Sequence, residues 1–221
     1  MTAQPGLRYV YAVCRPFEAA LQCQLTGVAG APPGLLRHRG LVAVVSTVPE
    51  GDFAEEQLLA RLADPDWLIA AVRAHQGVID ALTTVTTPLP LRFATVCPDD
   101  SALRTMLEAR EADFLRILDR LEGRVEWGVT VRGAASGEFA RALHERLSRC
   151  AEDSRLRAPA GQKALDAAYL VARANCEEFV ELVDRAKDGP PGARVELSGP
   201  WAAYSFTEDL TEEPEEMSEA R

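Results

Sequence analysis

Thr83-Thr84-Val85-Thr86-Thr87-Pro88-Leu89-Pro90-Leu91-Arg92-Phe93-Ala94-Thr95-Val96 follows a helical apolar stripe that ends at Leu82. Between His75 and Val96 the hydrophobic pattern changes from helical to strand-like, and Pro88 and Pro90 stiffen the passage. His75 stands on one side of it and Arg92 on the other. The stretch is a junction, and its reading decides the fold: it either joins two domains or forms a catalytic centre. As the passage between domains, it divides the chain into an N-terminal α+β domain (1–86), a C-terminal α+β domain (87–206) and an acidic tail (207–221) read as disordered.

Upstream, Arg8 to Cys14 is β-branched and aromatic and predicts a first strand. Gly27, Gly30, Pro32, Pro33 and Gly34 make residues 24–39 a surface loop. Leu41 to Val48 is a short, nearly continuous apolar run ended by Pro49, which favours a buried strand. Phe53 to Leu62 and Pro65 to Leu82 read as helices, with Asp64 able to cap the second and Pro65 suited to its first position. Leu68, Ala71, Val72, His75, Val78, Ile79 and Leu82 share one face of that helix. The apolar face therefore carries one titratable ring.

Downstream, Pro98-Asp99-Asp100-Ser101 starts a helix. Leu103, Met106, Leu107, Phe114, Ile117, Leu118 and Leu121 predict one long helix that Gly123 stops. Val125, Trp127, Val129 and Val131 alternate with polar residues or glycine, which makes Arg124 to Arg132 a strand with one core face and one face open to solvent or a partner. Phe139, Leu143, Leu147 and Cys150 outline a short helix. Leu165, Tyr169, Ala172, Cys176, Phe179, Val183 and Ala186 then recur at alternating spacings of four and three, which predicts the longest helix of the chain. Arg194 to Leu197 alternates as a last strand. Strands and helices follow one another without regular βαβ units, so the class is α+β. Their order over residues 89–198 is compatible with a ferredoxin-like second domain.

Composition excludes several functions. At 221 residues, with 47% hydrophobic and 26% charged residues, the chain can bury a core without staples. Its five cysteines are odd in number and form no C-x-x-C pair, which argues for reduced thiols and a cytoplasmic protein. Residues 208–221 hold seven acidic side chains and one basic one, most of the formal net charge of −10. The remainder offers no basic surface for nucleic acid or anionic lipid, and no apolar run is long enough to span a membrane. Cofactor motifs are missing: there is no P-loop, no G-x-G-x-x-G and no G-x-S-x-G. His38, His75 and His144 lack metal-ligand spacing. No catalytic, cofactor or metal residues are assigned.

The remaining candidates are interdomain or partner-binding residues: His75, Arg92, Trp127, Trp201, Tyr204 and Phe206. A lone histidine on an apolar helix face is more often a core or interface residue than a catalyst, although a cleft at His75 and Arg92 keeps open an alternative as a small-molecule-binding protein or enzyme. Gly199-Pro200-Trp201-Ala202-Ala203-Tyr204-Ser205-Phe206 concentrates aromatics that must pack on something, either their own domain or a partner.

Together, Tyr9-Val10-Tyr11, Leu41 to Ser46, Asp66-Trp67-Leu68, Pro90-Leu91-Arg92-Phe93-Ala94-Thr95, Glu126-Trp127-Gly128-Val129, Ala168-Tyr169-Leu170-Val171 and Gly199-Pro200-Trp201 with Tyr204-Ser205-Phe206 resemble the gas vesicle protein F/L family (GvpF/GvpL). The resemblance implies a two-domain α+β accessory or minor shell protein of gas vesicles, without catalytic residues. It implies binding to the main shell protein (GvpA) and to other gas vesicle accessory proteins, help in nucleation or assembly, and a cytoplasmic, vesicle-associated location. Two departures stand out: Ala94 replaces a usual glycine, and Ala202-Ala203 replace a common Pro-Pro. The acidic tail lies beyond the shared motifs.

Overall fold

A computed structural model describes residues 6–18, 25–133, 137–158 and 163–207, so the expected acidic tail (207–221) lies, apart from Thr207, outside the described residues. The first compact unit runs to Glu122 and the second begins at Gly123.

The first unit is organised around strand β1 (Gly6–Cys14), whose residues Tyr9 to Cys14 are all buried, as a central strand covered on both faces requires. The expected loop at 24–39 ends earlier than its composition suggests: Gly34–His38 is an edge strand, β2. It pairs antiparallel with β3 (Leu41–Pro49) through a two-residue turn in which Arg39 and Gly40 have φ of 44° and 76°. Two consecutive positive φ values match the right-handed twist of the flanking strands. Helices α1 (Glu50–Phe53), α2 (Glu55–Leu62) and α3 (Pro65–Thr83) follow. The Asp64 carboxylate caps α3 by accepting from the Asp66 and Trp67 amides, and Pro65 occupies its first turn, as the sequence predicts.

The junction after α3 does not leave this unit. Leu89–Pro90 (β4) pairs with Val13 and Ala12, and Val96–Cys97 (β5) pairs with Tyr9 and Arg8. The sheet order is β2-β3-β1-β4, with β5 also on β1. The expected boundary at 86/87 is therefore corrected to 122/123. The physical reason is that the strand-like residues after Pro88 complete the hydrogen bonding of β1, which β3 satisfies on one side only.

The long helix expected after Pro98 is two helices, α4 (Asp100–Ala109) and α5 (Glu111–Leu121), broken at Arg110 with φ −120° and ψ 18°. Between Leu107 and Phe114 no side chain is buried, so nothing in the core holds the two stripes on one axis.

The second unit contains β6 (Arg124–Arg132), α6 (Gly137–Ser148), β7 (Asp153–Leu156), β8 (Lys163–Ala172), α7 (Cys176–Lys187) and β9 (Arg194–Trp201). Its antiparallel sheet has the order β7-β8-β6-β9, so the first and third strands lie side by side at the centre of a split βαβ arrangement. The expected longest helix is corrected: its first half is β8. Leu165, Ala167, Tyr169 and Val171 alternate into the core, and Ala168 and Leu170 are buried on the other face. A strand paired on both edges reads as a continuous apolar run, which periodicity alone does not separate from a helix. Only Cys176, Phe179, Val183 and Ala186 keep the helical stripe, in α7. Phe179 packs between Trp127 and Tyr169, with ring centroids at 6.4 and 5.4 Å.

Candidate functional site

His75 and Arg92 both belong to the first unit and do not converge. The His75 ring, 3% exposed, lies among Tyr9, Tyr11 and Phe93 with centroid distances of 5.5–5.7 Å. The Tyr9 hydroxyl is 2.9 Å from His75 Nδ1, and the Ala94 amide donates to the same hydroxyl at 3.2 Å. With the Tyr9 hydroxyl donating to Nδ1, a neutral imidazole carries its proton on Nε2. Burial pushes the His75 pKa down to about 4. His75 is thus packed among aromatic rings in the core of the first unit. Arg92 is exposed, and its carbonyl accepts from both the amide and the hydroxyl of Thr95.

These contacts define the loop from β4 to β5. The Leu91 amide donates to the Tyr11 carbonyl, the Val10 amide donates to the Thr95 carbonyl, and between them Ala94 is forced to φ 65°. An L-residue pays strain in this left-handed region that glycine does not. Ala94→Gly is expected to stabilise the protein by up to about 1 kcal/mol, the relief of strain outweighing the added freedom of the unfolded chain. Thermal unfolding checks this; an unchanged or lower midpoint would show that Ala94 carries no strain.

The other four candidates lie in the second unit. Trp127 is largely buried, and its indole N–H donates to Cys176 Sγ at 3.4 Å. Phe206 is 1% exposed, with the Arg155 guanidinium 5.7 Å from its ring centroid. Tyr204 is half-buried, whereas Trp201 is 41% exposed. The aromatic segment is mostly spent on its own unit.

Glu126, which sequence reasoning missed, holds that segment in place. It lies on the face of β6 opposite Val125 and Trp127, which the alternation predicts to be open, yet it is only 4% exposed. Its carboxylate accepts from the Ser205 amide at 2.8 Å, the Ser205 hydroxyl at 2.8 Å and Arg157 Nη2 at 3.0 Å. Arg157 also donates to Ser205 Oγ at 2.8 Å. The open face of β6 is therefore closed at Glu126 by the segment around Ser205. The one available signal was a carboxylate on a strand followed, far along the chain, by aromatics that needed a surface.

A shallow apolar hollow of about 450 Å³ lies beside α7, lined by Trp127, Cys176, Glu177, Val180 and Glu181. Among the described residues, no group of three or more His, Cys, Asp or Glu side chains is placed to hold a metal ion, and no helix is long and apolar enough to cross a membrane.

The two antiparallel sheets with their packed helices define a mixed α+β protein, in which the buried carboxylate of Glu126 secures the segment around Ser205. The chain is a member of the gas vesicle synthesis protein GvpL/GvpF family, whose sequence profile matches residues 7–136 and 131–208. It is 47% identical to gas vesicle protein L of a Streptomyces species, in an alignment covering 97% of each chain. It is 25% identical to gas vesicle protein F of the same source, covering 90% of this chain and 99% of that one. Its fold matches the crystal structures of GvpF from Anabaena and from Microcystis aeruginosa, with TM-scores of 0.74 and 0.72 over 91% and 92% of this chain and 96% and 99% of those. Sequence identity to these two is 17% and 18%, so they speak to fold alone. Family membership places the chain in gas vesicle formation, and the family is not a known enzyme family.

Proposed function

We propose that this protein binds the main gas vesicle shell protein, GvpA, and assists nucleation or assembly of the vesicle, in association with other gas vesicle accessory proteins. The observation that carries this reading is the similarity to gas vesicle protein L along nearly the whole of both chains. Trp201 supports it: a large aromatic left exposed on an edge strand, beside Pro200, has the character of an interface anchor. On the connectivity of its strands, the same reading takes the second unit as ferredoxin-like. The alternative, a small-molecule or enzymatic role at His75 and Arg92, has no observation in its favour, since one side chain is enclosed by aromatic rings and the other is exposed.

Co-purification of the shell protein with the full chain tests the proposal. Ending the chain at Ser198 would remove Ser205 and Phe206 from their own unit, so a point change is cleaner. Trp201→Ala is expected to lower recovery roughly tenfold. Equal recovery would take Trp201 out of the interface, and no recovery with the unaltered chain would overturn the proposal.

A further inference from the structure

We propose that two copies of this protein pair through the outer face of α3, their helices antiparallel and the two-fold axis passing between Ile69 and Ala70. This inference goes beyond the shell-protein reading and does not rest on it. Helix α3 buries Ala71, His75, Val78, Ile79 and Leu82 on one side. The opposite side carries Asp66, Ile69, Ala70 and Arg73, all exposed and spaced to share one helical face. Single exposed apolar residues are common on any surface, but a concentration of them marks a docking face. Ile69 is 49% exposed, and Leu59 and Val72 are exposed as well. These are three of the six large apolar side chains left exposed among the described residues, and all three lie on α2 and α3. Helix α2, which packs beside α3, buries none of its residues.

The charges on this face point to its occupant. Asp66 and Arg73 lie two turns apart with Ile69 and Ala70 between them, and neither side chain forms a hydrogen bond or ion pair among the described residues. In an isologous interface residue i meets residue j while j meets i. About an axis between Ile69 and Ala70, Asp66 of each copy meets Arg73 of the other. Ile69 then meets the small Ala70, which lets the two helices approach closely. Like charge penalises the other arrangements. Sliding the pair by one turn in either direction sets Asp66 or Arg73 against its own copy, and a parallel pair does so with both. A face that complements itself in one register fits a second copy better than an unrelated partner.

The test is sedimentation of the full-length chain at rising concentration. The unaltered chain is expected to form dimers by about 100 μM, the short paired stretch making the association a weak one. Asp66→Lys alone and Arg73→Glu alone each set like charges face to face, and each is expected to raise the dissociation constant roughly tenfold. Mixed in equal amounts, the two variants again oppose unlike charges at both contacts, and the mixture is expected to recover the dimer. Unchanged thermal unfolding would confirm that both fold. Ile69→Glu, which leaves the Asp64 cap of α3 untouched, is a third variant expected to be monomeric. A chain that stays monomeric at that concentration overturns the proposal. So does a dimer that all three variants keep, which would use another face. A dimer that the single changes weaken and the mixture fails to restore overturns it as a general effect of charge. Shell protein recovered by a monomeric chain and lost on Ile69→Glu would make the shell protein the occupant of this face, overturning the pairing and leaving the shell-protein reading intact.

Discussion

Glu126→Ala is expected to lower the unfolding free energy by about 3 kcal/mol and to release residues 202–207 from the sheet. The carboxylate is almost fully buried and accepts three hydrogen bonds, two from Ser205 and one from Arg157. Bonds to a buried ion are worth more than neutral ones, and removing the acceptor strands the Ser205 amide without its partner. The estimate stays at the lower end of the range for broken buried pairs because the Arg157 side chain is 49% exposed and can turn to solvent. Glu126→Gln keeps an acceptor oxygen and should cost about half as much. Urea denaturation reads the stability change, and chymotrypsin, which cuts after aromatic residues, reads the release of the segment. An unchanged midpoint, with the aromatic segment still protected, would show that Glu126 is not its anchor.

The second large effect is a loss of stability on mild acidification. The His75 pKa in the fold is about 4 against an ordinary value of 6.5, and burial is the cause. Between these values the unfolded chain binds a proton that the folded one refuses. The stabilisation is thus fully present above pH 6.5 and is lost as pH falls toward 4, by about 3 kcal/mol in all. His75→Asn removes the titration while leaving an amide oxygen near the place of Nδ1 to accept from Tyr9. The variant should therefore show a flatter stability curve between pH 4 and 6.5, and equal slopes would exclude His75 as the source. Because the Tyr9 hydroxyl also receives the Ala94 amide, protonating His75 loosens the β4–β5 loop with it.

Local chemistry made much of this legible in advance. The capped start of α3 needed only Asp64 and Pro65, and β1, β3 and β6 declared themselves by β-branched and aromatic runs. Family membership was readable because motifs in a fixed order are a property of the chain itself. The candidate residues fared differently. His75 was correctly placed on an apolar helix face, but its partners Tyr9 and Phe93 come from β1 and the β4–β5 loop, which sequence spacing does not relate. Trp201, Tyr204 and Phe206 are close neighbours in sequence, yet only Phe206 is fully buried, because the register of β9 and the grip of Glu126 on Ser205 decide which ring meets the sheet.

By itself the sequence determined the α+β class, most element types, the buried face of α5, that of α3 except for Val72, which is 43% exposed, and membership in a gas vesicle family. These depend on period, caps and turn residues, which act within a few positions of one another. Only the tertiary structure decided that residues 89–97 return to the first sheet, that Lys163–Ala172 is a strand, and that the open face of β6 is closed at Glu126. Each of these depends on a hydrogen-bonding partner distant in the chain. An apolar run will form a helix or a strand according to whether a neighbouring strand stands ready to receive its amides and carbonyls, and residues 163–172 find one on each side.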